Sequence, residues 1–375
     1  MTMTTKPRGL YVHIPFCLKK CNYCDFCSFG INECHWIDKY VDALCREIES
    51  YGNKNISIDT IFFGGGTPSL LTVSHFSQIT EKIRESFVLC DDLEFTIEAN
   101  PKTLTREKLL GFMACGVNRL SIGLQSIHEN EQKMLGRVHN YADFLDTYSM
   151  AREVGINNIN VDLMFGIPEQ TKESFTKTLH TVLALSPEHI SLYGLILEEG
   201  TPLYRMRDSL NLPDEDEECD MYYLATDILR KAGFDHYEIS NYARKGYSCR
   251  HNLKYWHSDE YIGVGLAAYS YFDGVRFGNT DVVKDYLDGE YARYDSAERL
   301  DADSRAYEYV MLSLRLSEGF SLSEYKEKFE IDFKEGREEF LESICNQGLA
   351  VLKDDRLYLT EKGFYVSNNI LTELL

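Results

Sequence analysis

Between residue 8 and about residue 200 the chain alternates short runs rich in β-branched and aromatic residues with longer amphipathic stretches. The runs are LYVHI, IDTIFF, LEFTIEA, NRLSIGL, NINVDLMF and HISLYGLIL. The stretches between them include WIDKYVDALCREIESY, TREKLLGFMACG and KESFTKTLHTVLAL. The first pattern predicts strands and the second predicts helices. Gly and Asn punctuate the joins, as in ACGVNR and EVGINN. Six β-α repeats predict an α/β fold with a parallel sheet and helices outside it. Six units make a partial (β/α)6 barrel, whereas a closed barrel needs eight. An open doubly wound sheet satisfies the same spacing.

Beyond residue 200 the rhythm changes. The acidic run PDEDEECD opens a predicted helix reaching Lys231, since negative charge is favourable at a helix N-terminus. Then come HYEISNYA, RHNLKYWH and IGVGLAAYS. From about residue 301 helical patterns precede two short strands, around VLKDD and RLYLT, and a final helix. That order predicts a C-terminal winged-helix-like α+β domain. The expected division is a barrel over 1–235, a connecting segment carrying HNLKYW over 236–300, and the winged-helix-like domain over 301–375.

Charge narrows the function classes. The chain carries 39 Lys and Arg against 60 Asp and Glu, a net charge of -21. Nucleic acid and anionic membranes require local positive charge. The winged-helix-like region is itself acidic, with 9 Lys/Arg against 16 Asp/Glu, a net of -7. It is expected to pack or to contact protein rather than DNA. The N-terminus has no apolar run of signal-peptide length, and no stretch approaches the ~20 residues of a membrane span. The expected compartment is the cytoplasm. There the 11 cysteines should be thiols or metal ligands rather than disulfides.

Four of those cysteines, Cys17, Cys21, Cys24 and Cys27, fall within eleven residues in YVHIPFCLKKCNYCDFCSFG. This stretch follows the first strand, where a barrel places its functional loops. Three thiolates spaced C-x3-C-x2-C can each take one iron of a [4Fe–4S] cubane and leave the fourth iron open. An open iron can chelate the amino and carboxylate groups of a methionine moiety. A structural zinc site usually pairs two separated C-x2-C units, and no second pair is present. Cys27 is a fourth thiol, but an all-cysteine cluster would block the open iron. It is therefore read as a neighbour of the ligands Cys17, Cys21 and Cys24.

The second strand runs into FFGGGTPSLL, where Gly64, Gly65 and Gly66 allow the backbone to approach a ligand. Later strands carry polar residues at positions facing a barrel mouth: Glu98, Gln125 and Asp162. The alternative for each is a solvated or helix-capping side chain. Arg137, in LGRVHN, is a candidate to clamp a carboxylate with both of its terminal nitrogens.

Taken together, HIPFCLKKCNYCDF, FFGGGTPSLL, SIGLQS, LGRVHN, DLMFGIP, SLYGLILEEGTPLY, HNLKYW and GVGLAAYS resemble the oxygen-independent coproporphyrinogen III oxidase family of radical S-adenosylmethionine (SAM) proteins. The resemblance runs from about residue 8 to the C-terminus and points within that family to its heme-chaperone branch. It implies SAM contacts by Tyr11, Gly65, Gly66, Thr67, Glu98, Gln125, Arg137, Asp162 and Ile196, and a six-unit partial barrel. Two features depart from the oxidases. Those carry a substantial extension before the cluster motif, whereas here the motif strand begins at Leu10. They also place a further Cys two positions after the third, where this chain has Phe26.

HNLKYW resembles the heme-binding motif of the chaperone branch. A neutral imidazole at His251 can ligate heme iron, and Tyr255 and Trp256 can pack on the porphyrin. A buried structural histidine is the alternative, and His257 is the rival ligand. The resulting expectation is a heme chaperone that retains a [4Fe–4S] cluster and SAM and hands heme to acceptor proteins of the respiratory chain. A low-potential electron donor and a homodimer are its further expected partners. The alternative is an enzyme, oxidative decarboxylation of coproporphyrinogen III, in which a 5′-deoxyadenosyl radical takes hydrogen from a propionate.

Overall fold

All six predicted strands form. They are β1 (Arg8–Ile14), β2 (Ser57–Gly65), β3 (Val88–Ala99), β4 (Arg119–Gln125), β5 (Ile159–Phe165) and β6 (His189–Gly194). In the computed structural model, which describes residues 6–33, 35–52, 55–291 and 297–374, they lie side by side in chain order, all parallel. β4 is buried at every position, as a parallel strand covered on both faces must be. The helices that follow are α1 (Ile37–Glu49), α2 (Val73–Ser86), α3 (Arg106–Ala114), α4 (Tyr141–Glu153), α5 (Lys172–Leu183) and α6 (Glu215–Lys231). Side-chain oxygens of Thr72, Thr105, Asn140, Thr171 and Asp214 accept backbone N–H bonds at the starts of α2 to α6. The acidic run becomes the first turn of α6, where Asp214 and Glu217 form a reciprocal capping box, and the helix ends at Lys231.

The segment after α6 extends this sheet at both edges. β7 (Asp235–Glu238) and β8 (Asn241–Ala243) add antiparallel strands beside β6. β9 (Tyr261–Val264) then crosses to the other edge and pairs with β1 in parallel. β10 (Tyr269–Phe272), β11 (Val275–Gly278) and β12 (Glu298–Arg299) continue outward antiparallel. The result is one twelve-stranded mixed sheet. Between the two edge groups lies a short helix, α7 (Arg250–Trp256), tied to the beginnings of β1 and β2 and to the middle of β3. Lys254 Nζ donates to the Pro7 carbonyl at 2.9 Å and pairs with Asp59 at 2.8 Å. The Arg250 and His251 backbone N–H groups donate to Glu94 at 3.1 and 3.0 Å. α7 thus closes the floor of the barrel, opposite the strand ends that carry the cysteine loop.

The C-terminal region runs α8 (Ala302–Ser313), β13 (Phe320–Ser321), α9 (Leu322–Phe329), α10 (Glu338–Asn346), β14 (Ala350–Lys353) and β15 (Arg356–Leu359). Helix, strand, two helices and two strands, with sheet order β13-β15-β14, is a winged-helix arrangement. The wing turns at Asp354 and Asp355, both at positive φ, the geometry of a two-residue hairpin. Tyr309, Phe320, Tyr325, Phe329 and Phe333 pack ring to ring inside it. Among the described residues, no helix is long and apolar enough to cross a membrane.

Candidate functional site

The cysteine loop is built by its anchors. β1 runs into Phe16–Cys17, which pairs with Phe29–Gly30, so residues 18 to 28 close a loop over the strand ends. Asn22 N donates to Leu135 O at 2.9 Å and Asn22 Nδ2 to Met134 O at 3.0 Å. Lys20 Nζ donates to Phe26 O at 2.8 Å. Cys17, Cys21 and Cys24 line one cavity of about 480 Å³, a volume suited to a small-molecule ligand. Cys27 does not line it and packs against the hydrophobic core.

The residues present fit a group that takes three thiolates. All three cysteines are free and only half-buried. Thr67 Oγ1 lies 3.7 Å from Cys17 Sγ and Arg137 Nη1 lies 3.6 Å from Cys21 Sγ, so two of the three sulfurs have a side-chain donor directed at them. Burial pushes the Cys17 thiol up and the Cys24 thiol to about 11, which a coordinating metal would reverse. Among the described residues, no three His, Cys, Asp or Glu side chains gather about a single ion position. A cubane places each thiolate on a different iron.

Above the cysteines the glycine turn is tight for a definite reason. Gly65 stands at φ +104°, and a Cβ there would strike the His13 ring; at Gly66 a Cβ would meet Phe16 O at 2.7 Å and Ile14 O at 2.8 Å. Gly65 N donates to Glu98 Oε2 at 3.2 Å. Glu98 and Asp162 both line the cavity. Burial, then the Asp162 charge, raises Glu98 to about 8, and burial likewise raises Asp162. Two carboxyls held up in this way favour a cation between them.

Tyr11, Gly65, Gly66, Glu98, Gln125, Arg137 and Asp162 share this cavity wall. Gln125 reaches it from a positive φ of 70° at a bulge between β4 and β5. Thr67 is not on the wall; it lies behind Cys17 and accepts from Asn100 Nδ2 at 2.9 Å. Ile196 does not line the cavity either and is 68% exposed, two residues past β6. Arg137 is more committed than its sequence context suggests. Its Nη2 donates to Asn100 Oδ1 at 2.7 Å, Gly123 O at 2.6 Å and His139 Nε2 at 2.7 Å, and its Nε also faces His139. Burial and this guanidinium hold His139 near 3, so it is neutral and accepts. Arg137 therefore ties the end of β3, β4 and the segment leading into α4 to Cys21, and a two-nitrogen clamp on a ligand is not the arrangement present.

From the floor, α7 brings His251, Asn252 and Tyr255 to the same cavity. His251 is 1% exposed and stacks on Phe62 at 5.2 Å. Its Nδ1 lies 2.9 Å from Thr60 Oγ1 and its Nε2 lies 2.9 Å from the Tyr255 hydroxyl. Burial, with Lys254 and Arg119 nearby, drops its pKa to about 3, leaving the neutral imidazole that metal ligation requires. Trp256 and His257 point elsewhere, towards the C-terminal region: the Arg315 guanidinium lies 6.0 Å from the Trp256 ring, and His257 Nε2 is 3.0 Å from Glu318. Sequence reasoning missed Asn100, Thr60, Glu94 and Arg119. The last could have been found from the period of two in RLSIGLQ, which puts Arg119, Ser121, Gly123 and Gln125 on one face.

Comparison with known proteins agrees with this geometry. Residues 11–182 match the radical SAM superfamily and residues 300–366 match the HemN C-terminal domain. The solved coproporphyrinogen III oxidase HemN of Escherichia coli, described as a radical SAM enzyme, superposes with a TM-score of 0.87 at 24% identity, over 98% of this chain and 90% of that one. The heme chaperone HemW of Lactococcus lactis is 35% identical, covering 100% of this chain and 98% of its own. That of Bacillus subtilis is 34% identical over 98% and 99%, and that of Escherichia coli 34% over 97% of each. Identity at this level over whole lengths, on a radical SAM fold with three thiols at its mouth, places the chain in the heme chaperone HemW family.

Proposed function

We propose that this chain is a heme chaperone: it binds heme, carries a [4Fe–4S] cluster on Cys17, Cys21 and Cys24 with SAM beside it, and passes heme to acceptor proteins, including those of the respiratory chain. The observation that carries this reading is His251, a buried neutral imidazole on the wall of the cavity that the three thiols also line. The full-length relatives named as chaperones support it over oxidative decarboxylation, since the oxidase structure is only 24% identical. When bound, a three-thiolate cluster supplies an open iron able to chelate the amino and carboxylate groups of SAM, and a port for one electron from a low-potential donor.

The chain's own residues divide the rest of the work. Glu98 and Asp162 set a cation-favouring patch, and Gly65 N orients Glu98. Arg137 directs an N–H of its guanidinium at Cys21 Sγ. Thr60 holds the His251 ring from Nδ1, while Tyr255 occupies Nε2 until a metal displaces it. Leu18 and Phe26, 42% and 63% exposed, flank the cysteines and offer apolar surface to a second copy. A cytoplasmic setting completes the reading.

The test is a transfer experiment. Anaerobically reconstituted protein is loaded with heme and mixed with apomyoglobin, and the Soret band should move to that of holomyoglobin. The same preparation with SAM and reductant should leave coproporphyrinogen III unconverted. Turnover of that substrate without any affinity for heme would establish the oxidase instead.

A further inference from the structure

We propose that Arg119 is a carboxylate-binding subsite at the deep end of the cavity, aimed at a ligand's propionate-like group. Arg119 opens β4, is 2% exposed, and lines the cavity together with Ser121, Asn160 and Asn252. Its Nε is buried without a hydrogen-bond partner, and no carboxylate among the described residues forms an ion pair with its guanidinium. Thr96, its register partner on β3, likewise has a buried hydroxyl with no hydrogen-bond partner among the described residues.

The nearby acids do not fill the vacancy. Glu94 spends Oε1 on His251 N and Cys249 Sγ, and Oε2 on Arg250 N. Asp162 is held by Ser121 and by Asn160 Nδ2 at 2.7 Å. The contrast with Arg137, whose nitrogens are taken by protein acceptors, is direct. Glu94 and Asp162 act on the guanidinium only through their charge; a buried guanidinium without a hydrogen-bonded carboxylate is costly, and the planar fork of Arg matches one. A carboxylate can come from a small free acid or from a porphyrin propionate. The second source rests on the heme reading above; the subsite itself does not.

Two probes on the full-length protein separate the sources. The first is sodium propionate against sodium chloride at equal ionic strength, read by thermal unfolding. Wild type should gain stability saturably with propionate. Arg119→Gln should respond to the two salts alike, and Arg119→Lys should keep a reduced response. Without ligand, Arg119→Gln should unfold no earlier than wild type, whereas a guanidinium held for structure by Glu94 demands earlier unfolding. The second probe compares heme with its dimethyl ester. Wild type should favour the diacid by about 10-fold or more, and Arg119→Gln should erase that preference while leaving ester binding unchanged. A propionate response in a protein that binds neither porphyrin keeps the subsite and removes the heme reading. If propionate acts no differently from chloride on wild type and diacid and ester bind it equally, the subsite is overturned; the wild-type measurements alone decide this should Arg119→Gln fail to fold.

Discussion

Cys17, Cys21 and Cys24 can each be tested by a single substitution. Replacing any one with Ser should abolish a stable cluster, because three thiolates are the minimum that leaves one iron open. Cys27→Ser, facing the core rather than the cavity, should keep its iron and sulfide content. Anaerobic iron and sulfide analysis distinguishes them, and cluster loss in the Cys27 variant would break the assignment. Glu98 makes a second test, through pH. Its carboxyl titrates near 8 in the fold and near 4.5 when unconstrained. Between those values the folded protein holds more protons than the unfolded chain, so stability falls as pH rises through that window. Glu98→Gln removes the titration. The ligand-free variant should be nearly level with wild type at pH 5 and more stable at pH 8.5, by on the order of 4 kcal/mol. An equal offset at both pH values in thermal unfolding would contradict this. The glycine turn and the cysteine spacing were legible in the sequence because each works through local backbone geometry. Arg119 was legible only by its face, which the period of two in RLSIGLQ shares with Gln125; nothing local shows that its Nε lacks a partner.

Helix α7 shows what an element adds to its residues. HNLKYW marks the chemistry, but its orientation comes from Glu94, which lies 157 residues away from His251 in sequence. That carboxylate accepts the first N–H groups of the helix and fixes which face meets the cavity. Glu94→Ala, outside the ring's own hydrogen bonds, should weaken heme binding by about 10-fold through misplaced His251, with the cluster intact. Unchanged heme affinity in an optical titration would show that α7 is held by packing alone. Tyr255→Phe should act in the opposite direction. It keeps the ring and removes the hydroxyl competing for Nε2, so binding should tighten by roughly 5-fold, the worth of one ordinary hydrogen bond. Long-range tethers of this kind leave no periodic signal, which is why the sequence offered the motif without its support.

Over the whole molecule, the six-unit rhythm foretold the parallel strands, because each β-α unit is a local pattern, but left a sequential barrel order and a doubly wound one both open. It foretold neither edge of the sheet. β7 to β12 are short, two to four residues each, and join the parallel strands only through two pairings distant in sequence, β8 with β6 and β9 with β1. Their insertion carries α7 to the barrel floor and brings an imidazole to a cavity whose mouth holds the thiols. That convergence is the central claim, and optical titration of heme into anaerobically reconstituted protein tests it most directly. About one heme per chain with an imidazole-ligated Soret spectrum is expected, and His251→Ala should weaken binding or shift that spectrum while iron and sulfide content stay unchanged. Wild-type spectrum and affinity in His251→Ala would contradict it.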